Sequence, residues 1–177
     1  TVYRGSEAIV GAAEFIGNLK IPYLFVTNRG NRTPEMVAEH LSALGLNCTA
    51  ENVLTSAQVV AANLKAGTSA YCIGEVGLTT ALEQRGIKIL GESQETPDAV
   101  IVSYDRKFSY DKISQALRFI GAGARFIATN DDPVISSEDG LIPEAGPLVA
   151  AIARATGKIP ENMGKPNAPI MEIALER

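Results

Sequence analysis

Tyr23-Leu24-Phe25-Val26-Thr27-Asn28, with Thr33-Pro34 close behind, is the stretch on which the fold of this chain turns. Four successive apolar residues without alternation suit a strand buried on both faces, as in a parallel sheet covered by helices. Thr33 can cap a helix whose first position is Pro34. Val37, Leu41 and Leu44 keep one face of that helix apolar, and Gly45 stands where a left-handed residue ends it. On the other side of the strand, Ala12, Phe15, Ile16 and Leu19 recur at helical spacing.

Working outward, a helix is expected over 56–65, ended by Gly67. A second alternating set follows: strand 70–73, helix 76–85 capped by Gly86, strand 87–90, the polar stretch 91–97, strand 99–102, helix 110–120 with Ser109 as N-cap, and strand 125–128. A polar loop over 130–145 then leads into a helix over 147–156 closed by Gly157, and Ile170, Ile173 and Ala174 mark one more helix. Strands alternating with helices predict an α/β fold with mostly parallel pairing.

Thr27 and Asn28 end the buried strand, and open α/β sheets place ligands at the carboxyl ends of their strands. A hydroxyl and the amides after it can hold phosphoryl oxygens, although an ordinary turn reads equally well from the pattern alone. Arg29 and Arg32 lie just ahead of a helix start, as an anion cradle or as solvated loop residues. Gly164-Lys165-Pro166 confines a lysine near the start of the last helix. Thr129-Asn130-Asp131-Asp132 ends an apolar strand, and Pro143-Glu144-Ala145-Gly146 opens a helix. His40, the single histidine, falls mid-helix as a surface residue. A nucleophile elbow of the form Gly-x-Ser-x-Gly, a Walker-type phosphate loop and a Gly-x-Gly-x-x-Gly turn are all absent from the sequence.

With 16 basic and 20 acidic residues the net charge is −4, which offers no footprint for nucleic acid. A small anion at one local site stays compatible. Cys48 and Cys72 have no C-x-x-C spacing and read as reduced thiols in apolar settings, so a cytoplasmic location is expected. No apolar run approaches the roughly 20 residues that span a bilayer.

Taken together, Thr1-Val2-Tyr3-Arg4-Gly5, Leu24 to Asn28, Phe126-Ile127-Ala128-Thr129-Asn130, Gly157-Lys158 and Gly164-Lys165-Pro166 resemble the haloacid dehalogenase phosphatases, in particular the NagD-type branch that includes phosphoglycolate and p-nitrophenyl phosphatases. The resemblance implies a partial Rossmann-like core over 1–66 and 162–177, interrupted by an α/β cap domain over 67–161. It implies a magnesium-dependent phosphatase that hydrolyses a small phosphorylated metabolite through an aspartyl-phosphate, and a homodimer formed through the cap. In the family pattern Asp-x-Asp-Gly-Thr the nucleophile and general acid would precede Thr1, and the Mg2+ ligands fall outside these residues, so this polypeptide by itself is expected to be inactive. Lys165 and Thr27 match the family's catalytic, phosphate-holding residues. Asn28, Arg32, Asn130 and Asp132 match substrate-binding positions, while Arg29 and Gly30 depart from the family's Asn-Ser-x-Arg. The alternative is an inactive phosphate-binding or interaction module on a degenerate scaffold of the same kind.

Overall fold

The computed structural model describes residues 2–4, 7–91, 95–137 and 140–177. Thr1 and Gly5 of the opening motif, residues 92–94 of the polar stretch and residues 138–139 of the polar loop lie outside the described residues. In chain order the elements are β1 (Tyr3–Arg4), β2 (Glu7–Ala8), α1 (Ala12–Asn18), β3 (Phe25–Thr27), α2 (Pro34–Ala43), a 3-10 turn (Ala50–Asn52), β4 (Val53–Thr55) and α3 (Ser56–Ala62). Then come β5 (Ser69–Ile73), α4 (Val76–Gln84), β6 (Lys88–Leu90), β7 (Ala99–Val102), α5 (Tyr110–Gly121), β8 (Arg125–Ala128), β9 (Val134–Ser137), β10 (Gly140–Pro143), α6 (Ala145–Thr156), β11 (Glu161–Asn162) and α7 (Ala168–Leu175).

A five-stranded, all-parallel sheet in the order β11-β8-β7-β5-β6 forms the centre. Side chains alternate across it with the strand period of two. Ile101 and Ile127 face one way, into a core built with Leu54, Val60, Leu82 and Ile170 from β4, α3, α4 and α7. Val100, Val102 and Phe126 face the other way, against Phe119 and Ile152 of α5 and α6. A third core, around Val37, Leu41, Leu46 and Val53, joins α2 to the β3-β4 pair.

The helix starts follow their capping chemistry. Thr33 accepts from the Met36 N–H at 3.3 Å and Ser109 from the Lys112 N–H at 3.3 Å, while Gly45 at φ +80° permits the left-handed exit from α2.

Four expectations need correction. Residues of β3 are half-buried rather than enclosed on both faces, because among the described residues β3 pairs only with β4. Helix α3 stops at Ala62 rather than at 65, where the Asn63 side chain donates to the Val59 carbonyl at 2.9 Å and competes with a further turn. The polar loop contains the antiparallel hairpin β9-β10, whose short, largely exposed strands carry little apolar alternation. Helix α6 begins at Ala145, two residues early, since Glu144 caps it.

The boundary expected at 161/162 falls inside β11, where Asn162 pairs with Ala128. The first core also crosses the boundary expected near 67, joining Leu54, Val60 and Leu64 to Leu78, Leu82 and Ile101. Among the described residues no helix is long and apolar enough to cross a membrane.

Candidate active site

Parallel strands deliver their carboxyl ends to one edge, and that edge is where the two sheets meet. At the end of β3, Asn28 is buried and forms the hub. Its Oδ1 accepts the Lys165 N–H at 2.8 Å, and its Nδ2 donates to the Lys165 carbonyl at 3.1 Å and to Asp132 Oδ2 at 3.0 Å. Its own carbonyl accepts from Ser56 Oγ at 3.0 Å and from Asn130 Nδ2 at 2.9 Å. One amide side chain thus fixes the backbone of a lysine 137 positions away in sequence.

Held this way, Lys165 places its Nζ 2.9 Å from the Val26 carbonyl, alongside Thr27. Thr27 Oγ1 accepts the Arg29 N–H at 3.2 Å, which bends the chain sharply after the strand. Thr27, Asn28, Asp132 and Lys165 all line one cleft of about 620 Å³, a volume suited to a small metabolite.

Two of the expected site residues sit elsewhere. Asn130 has 0% exposure, and its side chain is consumed by the scaffold: Nδ2 bonds the Asn28 carbonyl, and Oδ1 accepts the Asp132 N–H at 2.9 Å. It positions Asn28 and Asp132 and has no face toward a ligand. Arg32 lines a neighbouring cleft rather than the one holding Thr27 and Lys165. Tyr104-Asp105-Arg106 is used structurally, Arg106 pairing with Glu75 and Asp105 with Lys112. His40 is not a free surface side chain, because its ring packs edge-on against Tyr3 at 4.9 Å and its Nε2 is buried, without a partner among the described residues.

Gly30, where this chain departs from the family's loop pattern, lies close to the larger sheet. A Cβ there would lie 2.4 Å from Ser103 Oγ, at the carboxyl end of β7, and 3.2 Å from Thr129 Oγ1. The bare backbone lets the loop after β3 lie directly on the larger sheet.

Glu144 is the site residue that sequence reasoning passed over. It is 3% exposed, yet it lines the cleft and caps α6 by accepting the Ala145 N–H. Burial is the main reason its carboxyl is pushed up to about 7 from 4.5; the nearby Asp132 charge pushes the same way, and the Ala145 N–H, Asn130 and Arg29 pull against it. An acidic residue between Pro143 and the first helical residue was the available signal, since that is an N-cap position.

This carboxyl carries a pH prediction. The folded state holds its proton more tightly than the unfolded state does, so stability falls as pH rises from about 4.5 to about 7 and levels off above. Glu144→Gln keeps an oxygen for the Ala145 N–H and removes the titration. Its melting temperature is expected to gain on the wild type between pH 5 and pH 8, by the equivalent of at most about 3 kcal/mol. Parallel curves across that range would show that Glu144 ionises normally.

Comparison with known proteins fits this geometry. Residues 1–88 match the model of the haloacid dehalogenase-like hydrolases. The 5'-nucleotidase YutF of Bacillus subtilis is 40% identical, the match covering 99% of this chain and 70% of that protein. The chain belongs to the haloacid dehalogenase-like hydrolases. Within them it falls in the NagD-type phosphatase branch. An acid sugar phosphatase of Staphylococcus haemolyticus is 37% identical over 99% of this chain and 68% of its own length. The glycerol phosphate phosphatase of Mycobacterium tuberculosis, solved with magnesium, superposes with a TM-score of 0.93 at 34% identity; the match covers 100% of this chain but only 55% of that one. This member therefore spans little more than half of that solved relative.

Proposed function

We propose that this chain is the phosphate-gripping and substrate-reading part of a magnesium-dependent phosphatase that hydrolyses a small phosphorylated metabolite through an aspartyl-phosphate. The observation that carries the reading is the Asn28 clamp. It spends a buried amide on both backbone groups of Lys165 and so holds a cation beside the Thr27 hydroxyl at the mouth of a metabolite-sized cleft.

In this reading Thr27 and the amides after it bind phosphoryl oxygens. Lys165 opposes the negative charge that gathers on the transferring group, a preorganised electrostatic role. Asp132 faces the leaving group and is itself aimed by Asn28 and Asn130. The proposed cap runs over 67–161 and the return segment over 162–177, with α3 and α7 packing against the cap sheet.

Magnesium is carried over from the relatives, among them the mycobacterial phosphatase solved with that ion. The described residues contain no group of three or more His, Cys, Asp or Glu able to hold a metal, so they do not fit the ion by themselves.

The test is a titration of the chain with inorganic phosphate, followed by amide NMR. Shifts are expected at Thr27, Asn28 and Lys165, and they should vanish in Lys165→Met. Shifts confined to other surfaces would remove the basis of this assignment.

A further inference from the structure

The loop after β3 serves two clefts. Arg29, Ile135 and Ser136 line both the cleft that holds Thr27 and Lys165 and a second one of about 410 Å³ beside it. The second cleft also receives Arg32, His40, Glu75 and Arg106.

Its charge is unbalanced among the described residues. Arg106 and Glu75 neutralise each other, with Arg106 Nε 2.7 Å from Glu75 Oε1. None of the ion pairs among the described residues involves Arg29 or Arg32, and Glu144, across the first cleft, is the carboxylate that feels the Arg29 charge. Arg29 lies 5.8 Å over the Tyr3 ring, and Arg32 has its proton affinity lowered first by burial and then by the Arg29 charge. Both guanidiniums thus line one cleft wall, near enough for the charge of Arg29 to act on Arg32.

The loop that carries them is fixed. Gly77 N donates to the Asn31 carbonyl at 3.2 Å, and a Cβ on Gly77 would meet the Arg32 backbone at 2.4 Å, so the first turn of α4 is seated directly on it. Gly30 is pressed against Ser103 in the same way. Cations fixed in advance on a cleft wall are what anion recognition requires.

We propose that the substrate carries a second phosphate, captured by Arg29 and Arg32 in the adjoining cleft while its first phosphate sits at Thr27 and Lys165. The preferred class is a small bisphosphorylated metabolite. Arg29, on the shared wall, spans the two ends. This inference rests on the reading of Thr27 and Lys165 as the site of the reacting phosphate.

Fructose 1,6-bisphosphate and fructose 6-phosphate, titrated calorimetrically into the chain, test it as a matched pair differing by one phosphate. The bisphosphate should bind roughly 10- to 100-fold more tightly, as expected for charge-assisted hydrogen bonds to a second anion. Arg32→Met should abolish most of that preference, and Arg32→Lys should retain part of it while reporting that the fold is intact. Equal binding of the two probes, or a preference undiminished in Arg32→Met, overturns the inference. Lys165→Met separates the two levels. If it weakens both probes while Arg32→Met leaves their ratio unchanged, the phosphoryl site stands and the second-phosphate site falls. If neither probe binds at all, both fall together.

Discussion

Lys165→Met is expected to lower kcat for phosphate-ester hydrolysis by roughly 10²- to 10³-fold, the scale seen when a single electrostatic donor is removed from an active site. The measurement uses p-nitrophenyl phosphate with magnesium, on this chain joined to the aspartate-bearing segments that the family resemblance implies. Methionine keeps most of the bulk of lysine and leaves the backbone untouched. Asn28 bonds Lys165 only through its N–H and carbonyl, at 2.8 Å and 3.1 Å, and both groups persist in the variant. Among the described residues, the only side-chain bond lost is the one from Nζ to the Val26 carbonyl, on an exposed edge. The loss should therefore appear in the chemical step, with little change in melting temperature. A near-normal kcat in a folded variant would end the assignment of Lys165.

Gly164→Ala should act in the opposite way, through the fold. A Cβ at this position would lie 2.5 Å from the Thr129 carbonyl oxygen, 2.7 Å from Asn130 Cβ and 2.8 Å from Asn28 Oδ1. None of these neighbours can yield cheaply: Thr129 and Asn130 are fully buried, and Asn28 Oδ1 is the atom that holds the Lys165 N–H. Overpacking of this kind costs about 1–3 kcal/mol, and here it also breaks the clamp. A fall of roughly 5–10 °C in melting temperature is expected, together with a loss of phosphate binding. Gly17→Ala in α1 is the matched control, because a Cβ there meets nothing within 4 Å. It should be neutral or stabilising by up to about 1 kcal/mol through helix propensity. Equal behaviour of the two variants would mean that the approach of Gly164 to the Asn28 hub is looser than described.

The pair of predictions separates two functions packed into Gly164-Lys165. The glycine lets the segment come close, and the lysine supplies the charge once it is there. Sequence reading singled out both residues from their motif, yet the partner that makes the arrangement work, Asn28, entered as a ligand-binding residue. Its amide is instead spent on Lys165 and Asp132. Asn130 follows the same course, from candidate contact to buried support.

Local chemistry was legible in the sequence because its causes are local. The strand over 99–102 and the strand over 125–128 appear as expected, since runs of Ala, Val, Ile and Phe bounded by polar residues admit few other states. Thr33, Ser109, Gly45 and Gly157 mark helix ends through bonds and dihedral angles that involve only nearby residues. Thr27 and Lys165 were singled out by family motifs, and folding sets both on one cleft through contacts 137 and 139 positions apart in sequence. Strands β4 and β11 escaped notice, because two or three residues gain their order from a parallel neighbour and not from their own pattern.

What only the tertiary structure decided are the relations between distant residues. Nothing in Pro143-Glu144-Ala145 reveals that the carboxyl is buried beside Asp132, so its raised proton affinity became visible only after folding. Arg29 and Arg32 read alike as loop arginines, and folding places Arg29 on the wall shared by two clefts and Arg32 on only the second. Burial, desolvation and the convergence of strand ends are properties of the packed whole. They depend on contacts across a hundred residues or more, which no local pattern records.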